Sequence, residues 1–301
     1  MVEILTADNL DFVRPAKSLK YPSLKEVIIP LVADIQYWKQ RGADGSYEVK
    51  TVALDRLSKT MKRIASTPNA YPFFGGDIID TASPSNRSAY AEMNSRFYDS
   101  VRGLSQDKVL EYIDDMVEAL SPCKGKSIGM ISGHHFWDSW DDNAPASVKG
   151  KNSDEVICER LGIPYLGKGM AIIHVPLTTG KNPKCAVLLM VHPDGYGVSL
   201  MASISKLQRD VLPYHAFDVA GIAHFHKKIA ASVPLMTYPS GGGIKERSRK
   251  LVSMGSYAKT FVEGMTTYGE KKMYAPYVMG SPWIYLRYVP EDDRIDIEIE
   301  D

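Results

Sequence analysis

Apolar residues in this chain gather in short unbroken runs, and five of those runs stop abruptly at aspartate or histidine. Phe73-Phe74 leads through Gly75-Gly76 to Asp77 and, past Ile78-Ile79, to Asp80. Leu31-Val32-Ala33 ends at Asp34, two residues before Gln36. The run from Ile128 ends at Gly133-His134-His135, the run from Val187 at His192, and the run from Val219 at His224-Phe225-His226. An unbroken apolar run bounded by turn residues reads as a strand buried on both faces. In α/β sheets ligands bind beyond the carboxyl ends of strands, so five strands ending this way can bring their last side chains to one crevice.

Between the runs the period changes from strand to helix. Val52, Leu57, Met61, Ile64 and Ala65 recur at helical spacing, and residues 89–120, 154–161 and 200–212 also read as helices. Further strands are predicted at 171–175, 185–191, 217–223, 229–233, 251–254, 283–289 and 295–299. Strand, helix, strand in alternation predicts an α/β fold. Residues 1–25 lack periodicity and read as an arm on the domain, Gly42-Ala43-Asp44-Gly45 reads as a loop, and residues 81–125 as a helical insertion or cap. With no internal repeat and no low-complexity linker, residues 1–301 read as one domain.

Composition narrows the functional classes. At 44% hydrophobic and 24% charged residues the chain is ordinary globular material, long enough for a large core. No apolar run is long enough to span a membrane and no signal-type segment opens the chain, so a cytoplasmic protein is expected. Cys123, Cys158 and Cys185 lack metal-ligand spacing and read as reduced core residues. A formal charge of zero argues against binding nucleic acid by bulk electrostatics. The basic residues after Gly241-Gly242-Gly243 and the acidic stretch from Glu291 to Asp301 read as solvated surface.

Histidine placement supplies the chemistry. Of 7 histidines only His174 and His215 lie outside the run-ending stretches. His224 and His226, two apart, put both imidazoles on one side of an extended segment, which suits a shared metal. Carboxylates and imidazoles without a thiolate favour Mn²⁺, Fe or Zn²⁺ over Ca²⁺. Asp34, Gln36, Asp77, His134, His192, His224 and His226 are too many ligands for one tetrahedral ion. Two ions sharing a bridging carboxylate, about 3.5–4 Å apart, would use them all.

The ordered series Asp34-x-Gln36, Gly76-Asp77-x-x-Asp80, Gly133-His134-His135, His192 and His224-x-His226 resembles the five motifs of the calcineurin-like metallophosphoesterases. The resemblance covers about residues 27–230. It implies a four-layer α-β-β-α sandwich of two mixed sheets with a dinuclear centre of divalent metal ions at the strand ends. Carried over by position, Asp34, Gln36, Asp77 and His226 would hold one ion and Asp77, His134, His192 and His224 the other, with Asp77 bridging. His135 would be the catalytic residue, polarising or protonating the departing oxygen.

Four positions depart from the pattern. Gln36 replaces the usual histidine, a form that looks like the manganese-dependent ADP-ribose and CDP-alcohol diphosphatases and favours Mn²⁺. His134 replaces an asparagine and Ala223 a glycine. Phe136 replaces the acid that normally follows the catalytic histidine, with Asp138 as its candidate stand-in. Tyr37, Trp38, Phe136, Trp137, Trp140 and Phe225 flank the motifs, where aromatics either stack on nucleobases or pack the core beneath the loops. The C-terminal half looks similar to bacteriophage-borne, nuclease-like members. The resemblance thus implies a metal-dependent phosphodiesterase or nuclease whose partner is a phosphate ester, DNA, RNA or a nucleotide. The alternatives are a nucleotide or nucleoside-diphosphate-linked small-molecule hydrolase and a non-catalytic metal-binding module.

Overall fold

The computed structural model describes residues 13–15, 25–41, 46–81, 92, 96, 98–138, 140, 144–178, 183–195, 199, 201–238, 242–264, 267–271 and 276–301. The predicted loop at 42–45 and much of the first part of the predicted insertion lie outside them.

In chain order the strands begin with β1 (Val13–Pro15), β2 (Glu26–Val32), β3 (Gln40–Arg41) and β4 (Tyr47–Glu48). Helix α1 (Leu54–Ser66) and β5 (Phe73–Phe74) precede the long helix α2 (Asp99–Ala119). Then come β6 (Gly129–Ser132), α3 (Ser153–Leu161), β7 (Tyr165–Lys168), β8 (Met170–Pro176), β9 (Cys185–Val191) and α4 (Ala202–Asp210). The remainder is β10 (Val219–Ile222), β11 (Lys228–Thr237), β12 (Lys245–Met254), α5 (Tyr268–Lys271), β13 (Trp283–Val289) and β14 (Arg294–Glu300).

Two six-stranded mixed sheets result, in the orders β14-β13-β2-β5-β6-β7 and β1-β8-β9-β10-β12-β11. In the first, β2, β5, β6 and β7 run parallel. In the second, β9, β10 and β12 do so.

The alternation of side chains along each strand builds the layers. Ile28 and Val32 of β2 face Leu57, Met61 and Ile64 of α1 and Ile113 and Met116 of α2 in one buried cluster. Val27, Ile29 and Leu31 turn the other way and join Ile173, Leu188 and Met190 of the second sheet. Leu189 and Val191 of β9 complete a third cluster with Ile204 and Leu207 of α4. Three apolar interfaces separate four layers, so the fold is an α-β-β-α sandwich of two mixed sheets.

The differences from the sequence reading have physical reasons. Val13–Pro15, within the predicted arm, pairs in parallel with β8 as an edge strand, too short to show a period. β11 and β12 pair over ten residues each, well beyond the predicted 229–233 and 251–254. The outer half of β11 alternates with solvent, and the opening half of β12 reads Lys245-Glu246-Arg247-Ser248-Arg249-Lys250, so neither forms an apolar run. β7 escaped because Gly167 and Lys168 break its pattern.

Candidate metal centre

β2, β5 and β6 in one sheet and β9 and β10 in the other deliver their last residues to the same end of the sandwich. Just past those ends the backbone turns sharply. Asp34, Gln36, Asp77, His224 and His226 have φ of 50°, 52°, 53°, 73° and 57°, and among the described residues only Asp293 otherwise does this without being glycine. Left-handed backbone at such residues costs of order 1–3 kcal/mol each and persists where the surroundings over-determine it, commonly at functional sites. Two glycines make the turns possible. Gly76 has φ 87° and packs against the Gly133 backbone. A Cβ on Gly133 would overlap Asp77 Oδ1 and the His192 ring, so only glycine lets these two ligand-bearing loops approach.

The turns bring Asp77, His134, His192 and His224 together, with one ligand atom from each all within 4.8 Å of one another. Each imidazole is tied on its outer nitrogen. His192 Nδ1 donates to the Gly75 carbonyl at 2.6 Å, and His224 Nε2 donates to the Gly195 carbonyl. A carbonyl only accepts, so these nitrogens carry hydrogens, and it is the other nitrogen of each ring that offers a lone pair once the ring is neutral. His134 Nε2 lies 2.9 Å from the Asp194 carboxylate, and its Nδ1 faces His224 Nδ1 at 3.4 Å. Two lone-pair nitrogens facing each other are the arrangement a cation would resolve. Outer partners of this kind fix tautomer and orientation in metal-binding histidines.

Beside this quartet, Asp34 Oδ1 lies 3.3 Å from His226 Nε2. Tyr277 donates its hydroxyl hydrogen to the Ala258 carbonyl at 2.8 Å, so towards His226 Nδ1, 3.1 Å away, its oxygen accepts. His226 therefore also turns a free Nε2 inward. Gln36 reaches the cluster through its backbone, whose N–H donates to the Asp77 carbonyl at 2.9 Å. Asp34 Oδ1, Asp77 Oδ2 and His192 Nε2 are buried without a hydrogen-bond partner. Asp77 Oδ2 and His192 Nε2 are 3.2 Å apart, near enough for charge attraction but not aligned as a hydrogen bond. Orphaned buried acceptors at one point, supplied by carboxylate and imidazole, fit a divalent cation.

Protonation follows from these contacts. Burial alone would raise the Asp77 carboxyl, but the nearby charge of His192, then the charge and backbone N–H of His135, hold it well below the usual range. Burial pulls His192 down, and Asp77 more than offsets it, so that imidazole titrates above its ordinary value. His134 is lowered to about 4 by burial and by His192, and His224 is lowered chiefly by burial.

His135 stands apart from the quartet. Its backbone N–H, like that of His134, donates to Asp77 Oδ1. Its Nδ1 donates to Asp80 Oδ1 at 2.8 Å, which leaves Nε2 3.9 Å from Asp77 Oδ2. Burial opposes its charge, but Asp80 and Asp77 outweigh burial and raise it to about 8. Asp80 rather than Asp138 thus supplies a carboxylate to His135. The second aspartate of the Gly76-Asp77-x-x-Asp80 motif carried that information in the sequence. Asp194, Gly195 and Tyr277 had no such sign beyond their closeness to His192 and to the aromatic stretch near Tyr274.

Asp154 was also missed. It is fully buried in the first turn of α3, both oxygens lack a hydrogen-bond partner, and burial followed by the Asp77 charge raises it to about 7. Beside it, Ser132, Asn152 and Tyr165 form a buried polar network, with Asn152 Nδ2 donating to the Tyr165 hydroxyl at 2.8 Å.

Of the flanking aromatics, Tyr37, Phe136, Trp137 and Phe225 are buried, Tyr37, Trp137 and Phe225 within the apolar clusters, while Trp38 and Trp140 are half-buried. His174 is exposed on β8 and His215 is remote from the named contacts of the centre. No helix among the described residues is long and apolar enough to cross a membrane.

No protein-family profile matches the chain, and no curated protein does. Several solved structures are similar at a distance. The NAD nucleotidase of Haemophilus influenzae aligns at 9% identity and a TM-score of 0.37 over 91% of this chain and 49% of its own, so this chain spans about half of that protein. A metallophosphoesterase from Sphaerobacter thermophilus aligns at 11% identity and a TM-score of 0.35, over 91% of this chain and 89% of its own. A calcineurin-like phosphoesterase from Bacillus subtilis does so at 11% identity and 0.35, over 92% and 90%.

Proposed function

We propose that this protein is a metal-dependent phosphoesterase of the calcineurin-like type, and that it hydrolyses phosphodiesters. The observation that carries the reading is the quartet of Asp77, His134, His192 and His224, whose ligand atoms converge within 4.8 Å while each imidazole is held from outside. In this reading the quartet holds one divalent ion, and Asp34, Gln36, Asp77 and His226 hold a second, with Asp77 shared. The hard amide oxygen of Gln36 favours Mn²⁺ at that second position. When bound, two such ions supply positive charge to the phosphoryl oxygens and acidify water.

The chain's own residues do the rest. Asp77, held ionised, keeps the two ligand sets in register through the backbone amides of His134 and His135. His135, raised to about 8 and braced by Asp80, carries a proton at neutral pH. It gives that proton to the leaving oxygen, the role of a general acid matched to its working pH. Buried Phe136 and Trp137 fix the loop that presents it.

A second reading, a nucleotide or nucleoside-diphosphate-linked hydrolase, is favoured by a cavity of about 240 Å³ beside Asp194 and Gly195. Lys206, Arg209 and Ser205 line it, groups suited to the second phosphate of a small substrate.

Hydrolysis of bis(p-nitrophenyl) phosphate and of the matching monoester tests the proposal, with Mn²⁺, with chelator and with Asp77→Asn. Diester turnover that needs both the metal and Asp77 supports it. Turnover that survives the chelator, or none on either ester with any divalent metal, would overturn it.

A further inference from the structure

A second concave feature, of about 270 Å³, lies between α1 and the start of β11. Arg56, Lys59 and Arg63 line one wall, and their spacing of three and four residues puts them on one face of α1. Lys228 stands opposite, with Gly280 and Ser281 between.

The acids in this groove are Glu300 and Asp301. Glu300 is already matched, because Arg63 meets its two oxygens at 2.5 and 2.7 Å and the Tyr285 hydroxyl donates to it. Arg63 is further held flat over the Trp283 ring, 3.9 Å from its centroid. Arg56, Lys59 and Lys228 form no salt bridge among the described residues, and Arg56 makes only a long 3.5 Å contact to the Met279 carbonyl. With Glu300 matched by Arg63, Arg56, Lys59 and Lys228 outnumber the remaining acidic side chain, Asp301, so the groove keeps a net positive charge.

The groove's residues are tied to the Asp34 and His226 side of the centre through the chain and through hydrogen bonds. Lys228 follows His226 by two residues, so their Cα atoms are no more than about 7 Å apart. From the other side, Gly280 N–H donates to the Ser256 carbonyl at 2.9 Å, and the Ser256 hydroxyl donates to the Asp34 carbonyl at 2.8 Å. Tyr277, the outer partner of His226, lies three residues before Gly280.

We infer that this groove holds phosphates of a single-stranded polynucleotide on one side of the bond being hydrolysed. The inference rests on the phosphodiesterase reading above and adds its substrate class. Several cations near the centre but outside its ligand set suit a ligand that carries further charges along its backbone. A mononucleotide has none there to offer.

The test is fluorescence anisotropy of a labelled single-stranded oligonucleotide against salt, with the full chain kept in chelator so that nothing is cleaved. Each phosphate contact to a single strand contributes about 0.7 to the slope of log K against log salt. Replacing Arg56, Lys59 and Lys228 together by glutamine should therefore flatten the slope by about 2 and weaken binding more at low salt than at high. Arg56→Gln with Lys59→Gln alone, both exposed on α1, should flatten it by about 1.4 and keeps the test valid if changing Lys228 disturbs β11. An unchanged slope in the folded double variant would overturn the groove. So would oligonucleotide binding that a nucleoside monophosphate displaces at equal concentration. Turnover of the small diester by wild-type protein is read separately, so loss of the phosphoesterase reading and loss of the groove give different results.

Discussion

Replacing Asp154 by asparagine removes a fully buried carboxyl that no ligand role accounts for. Burial, then the negative charge of Asp77, raises its carboxyl from 3.8 to about 7, against a smaller opposing effect of Ser132 and His192. The folded protein therefore keeps this proton where the unfolded chain has lost it. With the folded value raised, the associated stability is complete below about pH 4, falls as pH rises, and is gone above about pH 7. A displacement of about three pH units corresponds to roughly 4 kcal/mol at most, at about 1.4 kcal/mol per unit.

Asparagine has nearly the same shape and cannot ionise, so its variant lacks this slope. It leaves an amide short of partners instead, at a cost of about 1–3 kcal/mol that does not vary with pH. Urea unfolding followed by circular dichroism, in chelator from pH 4.5 to 8, should show the wild type losing stability relative to the variant by up to ~3 kcal/mol across that window, the rest being lost below it. Below pH 5 the wild type should be the more stable of the two. Adding Mn²⁺ should shrink the divergence, because a cation beside Asp77 favours the ionised form of Asp154. Parallel stability profiles for the two proteins would refute the assignment of a raised, unpartnered carboxyl at this position.

Asp80→Asn replaces the charged acceptor that helps raise His135 towards 8 by a neutral one. The alkaline limb of turnover on a substrate with a poor leaving group should then move to lower pH by about one unit, while a nitrophenyl ester, which leaves unaided, should show little movement. If both substrates shift equally, His135 is not the proton donor. Metal binding at pH 7 should release close to one proton, since His192 is raised and must be neutral to coordinate, whereas His134, lowered to about 4, already is. Titration calorimetry in two buffers of different ionisation enthalpy measures the number, and zero release contradicts the charge state given to His192. Gly133→Ala drives a Cβ into Asp77 and His192, so it should abolish metal binding and lower stability by about 1–3 kcal/mol, read by equilibrium dialysis and urea unfolding. A variant that binds metal normally would show that the two loops do not pack as described.

What the sequence made legible was whatever depends on strand endings. An apolar run that stops at Asp77 or His192 states both that a strand is buried and what it carries at its tip, and the period-2 split of β2 between two cores follows from the same run. The outer partners of the centre were not legible because each is chosen by folding from residues with no pattern of their own. Asp194 and Gly195 meet His134 and His224 across loops 60 and 29 residues away in sequence, and Tyr277 reaches back 51 residues to His226.

Asp154 shows the limit from the other side. In the sequence it is an acid opening a helix, where the helix dipole welcomes it and where solvent is the ordinary surrounding. Only the packing of α3 against β6 makes it a buried charge beside Asp77. Strand packing likewise explains why His135 has a carboxylate partner although Phe136 follows it in the chain. Once β5 and β6 lie side by side in parallel, the turns after them place Asp80 against His135, and a partner that one motif does not supply comes from its neighbour in the sheet.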